Sequence, residues 1–82
     1  MDVNDDFFNP ANITVANGAT VTWTWRGSSQ HNVTFEDAQG SSATQSAGIH
    51  TRTFGMTGTV RYRCTIHSTS FTSGMIGSVV VQ

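Results

Sequence analysis

The sequence predicts an all-β protein, an antiparallel sandwich or Greek-key barrel of about seven strands. Apolar side chains recur at every second position in several short runs, the period of a half-buried strand. Clusters of Gly, Asn, Pro and Ser separate those runs, and these residues favour turns. No stretch carries the 3.6-residue period of an amphipathic helix.

Taken in order, Phe7-Phe8 is followed by the break Asn9-Pro10. Ile13 and Val15 then alternate with polar neighbours up to Asn17-Gly18, which reads as a tight hairpin turn. Val21, Trp23 and Trp25 share one face of the next run, with Thr20, Thr22 and Thr24 on the other. The turn Arg26-Gly27-Ser28-Ser29 ends it, and His31-Asn32-Val33-Thr34-Phe35 forms a shorter strand. From Glu36 to Gly48 the chain is rich in Gly and Ser and reads as the one long loop. A strand starts near His50, and Val60, Tyr62 and Cys64 later alternate with Arg61 and Arg63. The final run, Gly77 to Val81, is nearly continuous in apolar residues, which predicts a strand covered on both faces.

At 82 residues the chain has room for one domain, 1–82, whose core is small. Chains of this size commonly recruit disulfides, a metal or a partner chain. Cys64 is the single cysteine, so an internal disulfide is excluded. Four Arg, no Lys and five acidic residues give a net charge of −1, without the basic cluster that nucleic-acid binding requires. No apolar run is long enough to span a bilayer. Asp2, Asp5 and Asp6 stand where a signal peptide needs basic and apolar residues, so an exported form is expected to have lost its leader.

The metal is favoured by four side chains. Cys64, His67 and Met75 lie on the segment C-T-I-H-S-T-S-F-T-S-G-M. Thiolate, imidazole and thioether together select copper over hard cations, and a thiolate with two imidazoles and a weak axial thioether is a blue-copper ligand set. The second imidazole must come from elsewhere in the chain. His31 suits it, because it opens a strand directly after a turn and is therefore held rigidly beside a loop-built site. Cys64 ends its own strand in the same way.

The order of motifs is specific. F-x-P (Phe8, Pro10), I-T-V-A-N-G-A-T-V-T-W (Ile13 to Trp23), H-N-V (His31 to Val33), Y-R-C-T-I-H (Tyr62 to His67) and G-M-I-G-S-V-V-V (Gly74 to Val81) follow one another. In this the chain resembles the cupredoxins, the plastocyanin- and azurin-like type 1 blue-copper proteins, nearly end to end. The resemblance implies a roughly trigonal set of His31, Cys64 and His67 with Met75 axial. It also implies that Asn32 steadies the Cys64 loop, with Thr65 in the same network. It further implies a one-electron carrier whose electrons pass through an exposed His67 edge in an apolar patch, with Phe71 and Ile76 as members. A periplasmic or otherwise exported monomer is expected, serving redox proteins such as a cytochrome or oxidase, with no nucleic-acid partner.

Two departures from the family pattern stand out. Seven residues, Ser68 to Gly74, separate His67 from Met75, more than is usual, which bears on the bond from Met75. The stretch from His31 to Cys64 is also short, so a peripheral strand or loop is expected to be trimmed.

Other candidates read more simply. His50 is expected to be a solvated histidine, Met56 to pack, and Trp23 and Trp25 to belong to the core. Asn12-Ile13-Thr14 and Asn32-Val33-Thr34 match the glycosylation pattern, which would conflict with the role of Asn32. Asp2, Asp5 and Asp6 read as a solvated chain end. A Cys64–His67 nucleophile would leave His31 and Met75 unexplained. A hydrolytic zinc site would keep a position open for water. A copper-carrying protein on the same fold, or a module of a larger oxidase, would share the same ligands.

Overall fold

The computed structural model describes residues 1–82. The alternating runs form eight short strands: β1 (Asp2–Asn4), β2 (Phe7–Asn9), β3 (Asn12–Val15), β4 (Thr20–Trp25), β5 (Thr34–Phe35), β6 (Ile49–Thr53), β7 (Gly58–Arg63) and β8 (Ile76–Val81). They make two four-stranded sheets, ordered β2-β1-β4-β6 and β3-β8-β7-β5. No helix is long and apolar enough to cross a membrane.

Both sheets are mixed rather than antiparallel throughout. Strand β1 runs parallel to β4, and β3 runs parallel to β8. Parallel neighbours need long crossovers, so reading consecutive runs as hairpins does not reveal them. Asn17-Gly18 illustrates the point. It makes a tight turn, with the Ala19 amide donating to the Ala16 carbonyl at 3.1 Å and Gly18 at φ +90°. Yet β3 pairs with β8 while β4 pairs with β1 and β6, so the turn is a corner between sheets and not the expected hairpin.

The strand beyond the expected seven is β1. Its Val3 is fully buried, and its carbonyl accepts from the amides of Arg26 and Gly27 at 2.8 and 3.3 Å. The acidic start of the chain is therefore a docked strand and turn, not a solvated end. Strand β5 begins at Thr34 rather than His31, because the Val33 amide turns to the Ser42 hydroxyl at 2.8 Å.

Strand β4 alternates as expected, burying Val21, Trp23 and Trp25. Strand β8 does not have two covered faces. Gly77, Val79 and Val81 point inward while Val80 is exposed, since β8 has a neighbour on each edge but only one face toward the core.

Trp23 fills the space between the sheets. Its ring meets Phe35 and Tyr62 edge-on at 5.3 and 5.4 Å, and Tyr62 meets Phe8 edge-on at 4.8 Å. Such edge-to-face pairs add about 0.5–1.5 kcal/mol each beyond their buried area. The Tyr62 hydroxyl donates to the Ala11 carbonyl at 2.7 Å, which satisfies the one polar atom this ring carries inward. Met56 does not pack as expected. It lies between β6 and β7 and is 82% exposed. The long loop from Glu36 to Gly48 is present. Arg52 anchors it, lying over the rings of Phe35 and Phe54 while its guanidinium donates to Asp37 at 2.6 and 2.9 Å.

Candidate metal centre

At one end of the sandwich the chain gathers His31, Cys64 and His67. Their nearest donor atoms all lie within 4.8 Å of one another. The Nδ1 atoms of His31 and His67 stand 3.8 and 3.6 Å from the Cys64 Sγ. Separations of that size suit bonds of about 2.0–2.3 Å to one ion between the donors. His31 and Cys64 are fully buried, and Met75 nearly so.

Different devices hold each side chain. His31 is clamped through its backbone, exchanging two hydrogen bonds with Gln45 at 2.9 and 3.0 Å, while its carbonyl accepts from the Trp25 indole at 3.3 Å. Cys64 follows directly on β7, where its strand leaves the ladder. Its amide donates to the Met75 carbonyl at 3.0 Å.

Asn32 bridges the two. Its Oδ1 accepts from the Thr65 amide at 3.1 Å and the Thr34 hydroxyl at 2.8 Å. Its Nδ2 donates to the hydroxyls of Thr65 and Thr44 at 2.8 and 3.2 Å. All four hydrogen bonds of this buried amide are made, and two of them fix Thr65, the residue after Cys64. Thr65 belongs to the network, and burial of Asn32 closes it to glycosylation.

The seven-residue spacer between His67 and Met75 is pinched at its base. The Met75 amide donates to the His67 carbonyl at 3.3 Å. The buried Ser68 hydroxyl shares its one proton between the carbonyls of Ser70 and Ser73, at 2.5 and 2.6 Å, and its own carbonyl accepts from Arg63. Gly74 makes the return possible. It sits at φ +88°, and a Cβ there would lie 2.6 Å from the His67 carbonyl oxygen. The extra length becomes an outward excursion, and Met75 still arrives hydrogen-bonded to both Cys64 and His67.

The two imidazoles face solvent differently. The His67 side chain is 31% exposed, with the Asp6 carboxylate 3.4 Å from its Nε2. The fully buried His31 ring meets Asp5 Oδ1 through its Nε2 at 3.0 Å, and the Asp5 side chain is 41% exposed. Hydrogen bonds from His31 and from the Ser29 and Ser28 amides hold the Asp5 carboxyl well below the usual carboxylate range. Phe71 and Ile76, the expected patch members, are half-buried, and the Arg63 guanidinium lies 5.2 Å over the Phe71 ring. Ile66 beside His67 is more exposed than either.

His50 is not freely solvated. It is partly buried, and its Nε2 lies 2.6 Å from the Gly40 carbonyl, far from the ligand spacing of the cluster. Sequence reasoning missed Asp5, Asp6 and Ser68. Nothing local distinguishes an acid that reaches across 26 residues to a histidine from any other acid near a chain end.

A two-sheet β fold that gathers one thiolate and two imidazoles at one end defines a mononuclear soft-metal protein. The description copper binding proteins, plastocyanin/azurin family, matches residues 1–82, and the chain belongs to that family. Its cofactor is a type 1 copper ion, which the donor set of His31, Cys64 and His67 with Met75 fits. No curated relative matches the chain.

Among solved structures, an oxidised methionine-to-leucine variant of amicyanin is 29% identical, with a TM-score of 0.83, covering 99% of this chain and 78% of that one. A purple cupredoxin from Nitrosopumilus maritimus is 28% identical, with a TM-score of 0.77, covering 93% of this chain and 82% of that one. Plastocyanin from Dryopteris crassirhizoma shares the fold at 22% identity and a TM-score of 0.82, with full coverage of both chains.

Proposed function

We propose that the chain is a one-electron carrier whose copper would be held by His31, Cys64, His67 and Met75. The observation that carries this reading is the closure of the site. Three of the four side chains are buried, and His67 alone has a partly exposed edge. The two surface cavities are lined by residues such as Asp37, Arg52, Phe54 and Val60, and neither touches the cluster. A closed site suits an electron, which needs no substrate pocket, better than it suits catalysis.

Bound there, copper supplies a one-electron couple between Cu(I) and Cu(II). The protein supplies rigidity. Backbone clamps on His31, the Asn32 bridge and the pinched spacer hold the donors in one arrangement, so little rearrangement accompanies each transfer. Amicyanin occurs in an oxidised form and in a reduced Cu(I) form, which supports the same cycling here. Electrons enter and leave at the His67 edge, beside Ile66 and Asp6. The partner is another redox protein, such as a cytochrome or an oxidase, and the setting is periplasmic or otherwise exported. The protein acts as a monomer and is not an enzyme.

Adding Cu(II) to the purified protein and recording visible and EPR spectra tests the reading. An intense thiolate-to-copper band with narrow hyperfine splitting is expected. A colourless protein that prefers zinc overturns it. Self-exchange rates then separate a shuttle from a copper-delivering protein, since fast exchange through His67 belongs only to the shuttle. His67→Gly and Phe71→Ala should both slow it.

A further inference from the structure

We propose that the Asp5-Asp6 turn is a positioning device for the metal site, each carboxylate engaging one imidazole at its outer nitrogen so that the inner nitrogen faces Cys64. The proposal rests on the copper-site reading above, and it assigns roles to two residues outside the ligand set.

The turn is built for this placement. Asp5 and Asp6 form the two-residue tip of the β1–β2 hairpin, where Asn4 pairs with Phe7. Asp6 sits at φ +73°, a region that few residues other than Gly occupy and that Asp tolerates better than most. Parallel pairing of Val3 with Trp25 sets the tip beside the turn that precedes His31. There Asp5 Oδ2 accepts from the Ser28 amide and hydroxyl at 3.2 and 3.3 Å, and its Oδ1 accepts from the Ser29 amide at 3.0 Å. The remaining contact is His31 Nε2, also on Oδ1 at 3.0 Å.

Close approach of the tip depends on Gly27. A Cβ on that residue would lie 2.1 Å from Asp5 Oδ1 and 2.8 Å from the Asp5 amide nitrogen.

A carboxylate can only accept from the imidazole, so Nε2 carries the proton and Nδ1 is left as the lone-pair donor toward Cys64. Carboxylates behind ligand histidines fix tautomer and ring orientation and raise ligand basicity. Asp5 does this for a fully buried ring. Asp6, 77% exposed and 3.4 Å from His67 Nε2, supplies a looser version for the partly exposed one. Negative charge behind both donors favours the more highly charged copper state, so the pair lowers the reduction potential.

The test compares Asp5→Asn, Asp6→Asn, Gly27→Ala and a control, Asp2→Asn, which removes the same charge from the same hairpin next to Arg26. Two readouts are used. In copper-free protein at alkaline pH, long-range ¹H–¹⁵N correlation reports each imidazole tautomer. In copper-loaded protein, voltammetry reports the potential. We expect wild-type His31 to be the Nε2–H tautomer, and Asp5→Asn to lose that preference. Asp5→Asn should raise the potential clearly more than Asp2→Asn, with Asp6→Asn between them. Gly27→Ala, which displaces Asp5 without altering it, should move both readouts in the same direction as Asp5→Asn.

An Nδ1–H tautomer for His31 in the wild type overturns the proposal. So does an Asp5→Asn potential indistinguishable from that of Asp2→Asn. If the wild type binds no copper, the ligand reading has failed, while the copper-free tautomer still decides the role of Asp5.

Discussion

The metal centre has two halves, and they are built differently. His31 and Cys64 come from the sheets and their margins, buried and tied by Asn32 across 33 residues of sequence. His67 and Met75 come from one loop, and a serine collar and a glycine return set their positions. The first half is rigid because long-range structure surrounds it. The second is rigid because local hydrogen bonds close it on itself, and it carries the partly exposed edge. A carrier needs both, a wall that keeps water from the ion and a contact that a partner can reach.

Mutations can separate the halves. Cys64→Ser should have the largest effect, abolishing both the thiolate-to-copper band and the narrow hyperfine splitting, because no other thiol exists in the chain. Asn32→Ala should follow. It removes the acceptor of the Thr65 amide and of the Thr34 hydroxyl, hydrogen bonds of about 0.5–1.5 kcal/mol each. A lower unfolding midpoint for the copper-free protein, with a broadened copper signal, is expected.

Gly74→Ala attacks the loop half alone. The left-handed φ and the approach to the His67 carbonyl both oppose a Cβ, so a cost above about 1 kcal/mol is expected. The copper spectrum should shift as Met75 moves, while backbone amide shifts around His31 and Asn32 stay near those of the wild type. If those shifts move as much as the loop's, the halves are not independent.

The smallest effect lies outside both. Arg52 holds the Asp37 carboxyl below the usual carboxylate range. A carboxylate depressed on folding stabilises the protein above its unfolded value of about 3.9, and that contribution is lost as pH falls through the lower folded value. Asp37→Asn should flatten this acid limb by less than about 1 kcal/mol, as exposed pairs do. Denaturation curves of the two copper-free proteins from neutral to acid pH would show it.

How much of this could be read from the sequence follows the same division. Alternation revealed β4 and β7 and the burial of Trp23, since each strand writes its two faces into its own residues. The strong motifs placed Cys64, His67 and His31, because a ligand set needs particular residue types in a fixed order. Asn32 and Thr65 were legible through the motifs that contain them. What sequence could not show was pairing across the fold. Strand β1 was hidden because three residues with one apolar position carry no period, and its parallel partner lies more than 20 positions away. Asp5 was hidden for the same reason. The spacer before Met75 looked like a threat to the site, and only the contacts of Ser68 and Gly74 show how the length is absorbed.

That collar also separates two properties that evolution or an engineer would otherwise have to change together. Thr69 and Thr72 are exposed outside the knot that Ser68 ties through the carbonyls of Ser70 and Ser73, so their side chains can vary while the spacing from His67 to Met75 stays fixed in space. Recognition surfaces could be rewritten on this excursion, one partner after another, with the electronic tuning of the ion left in place.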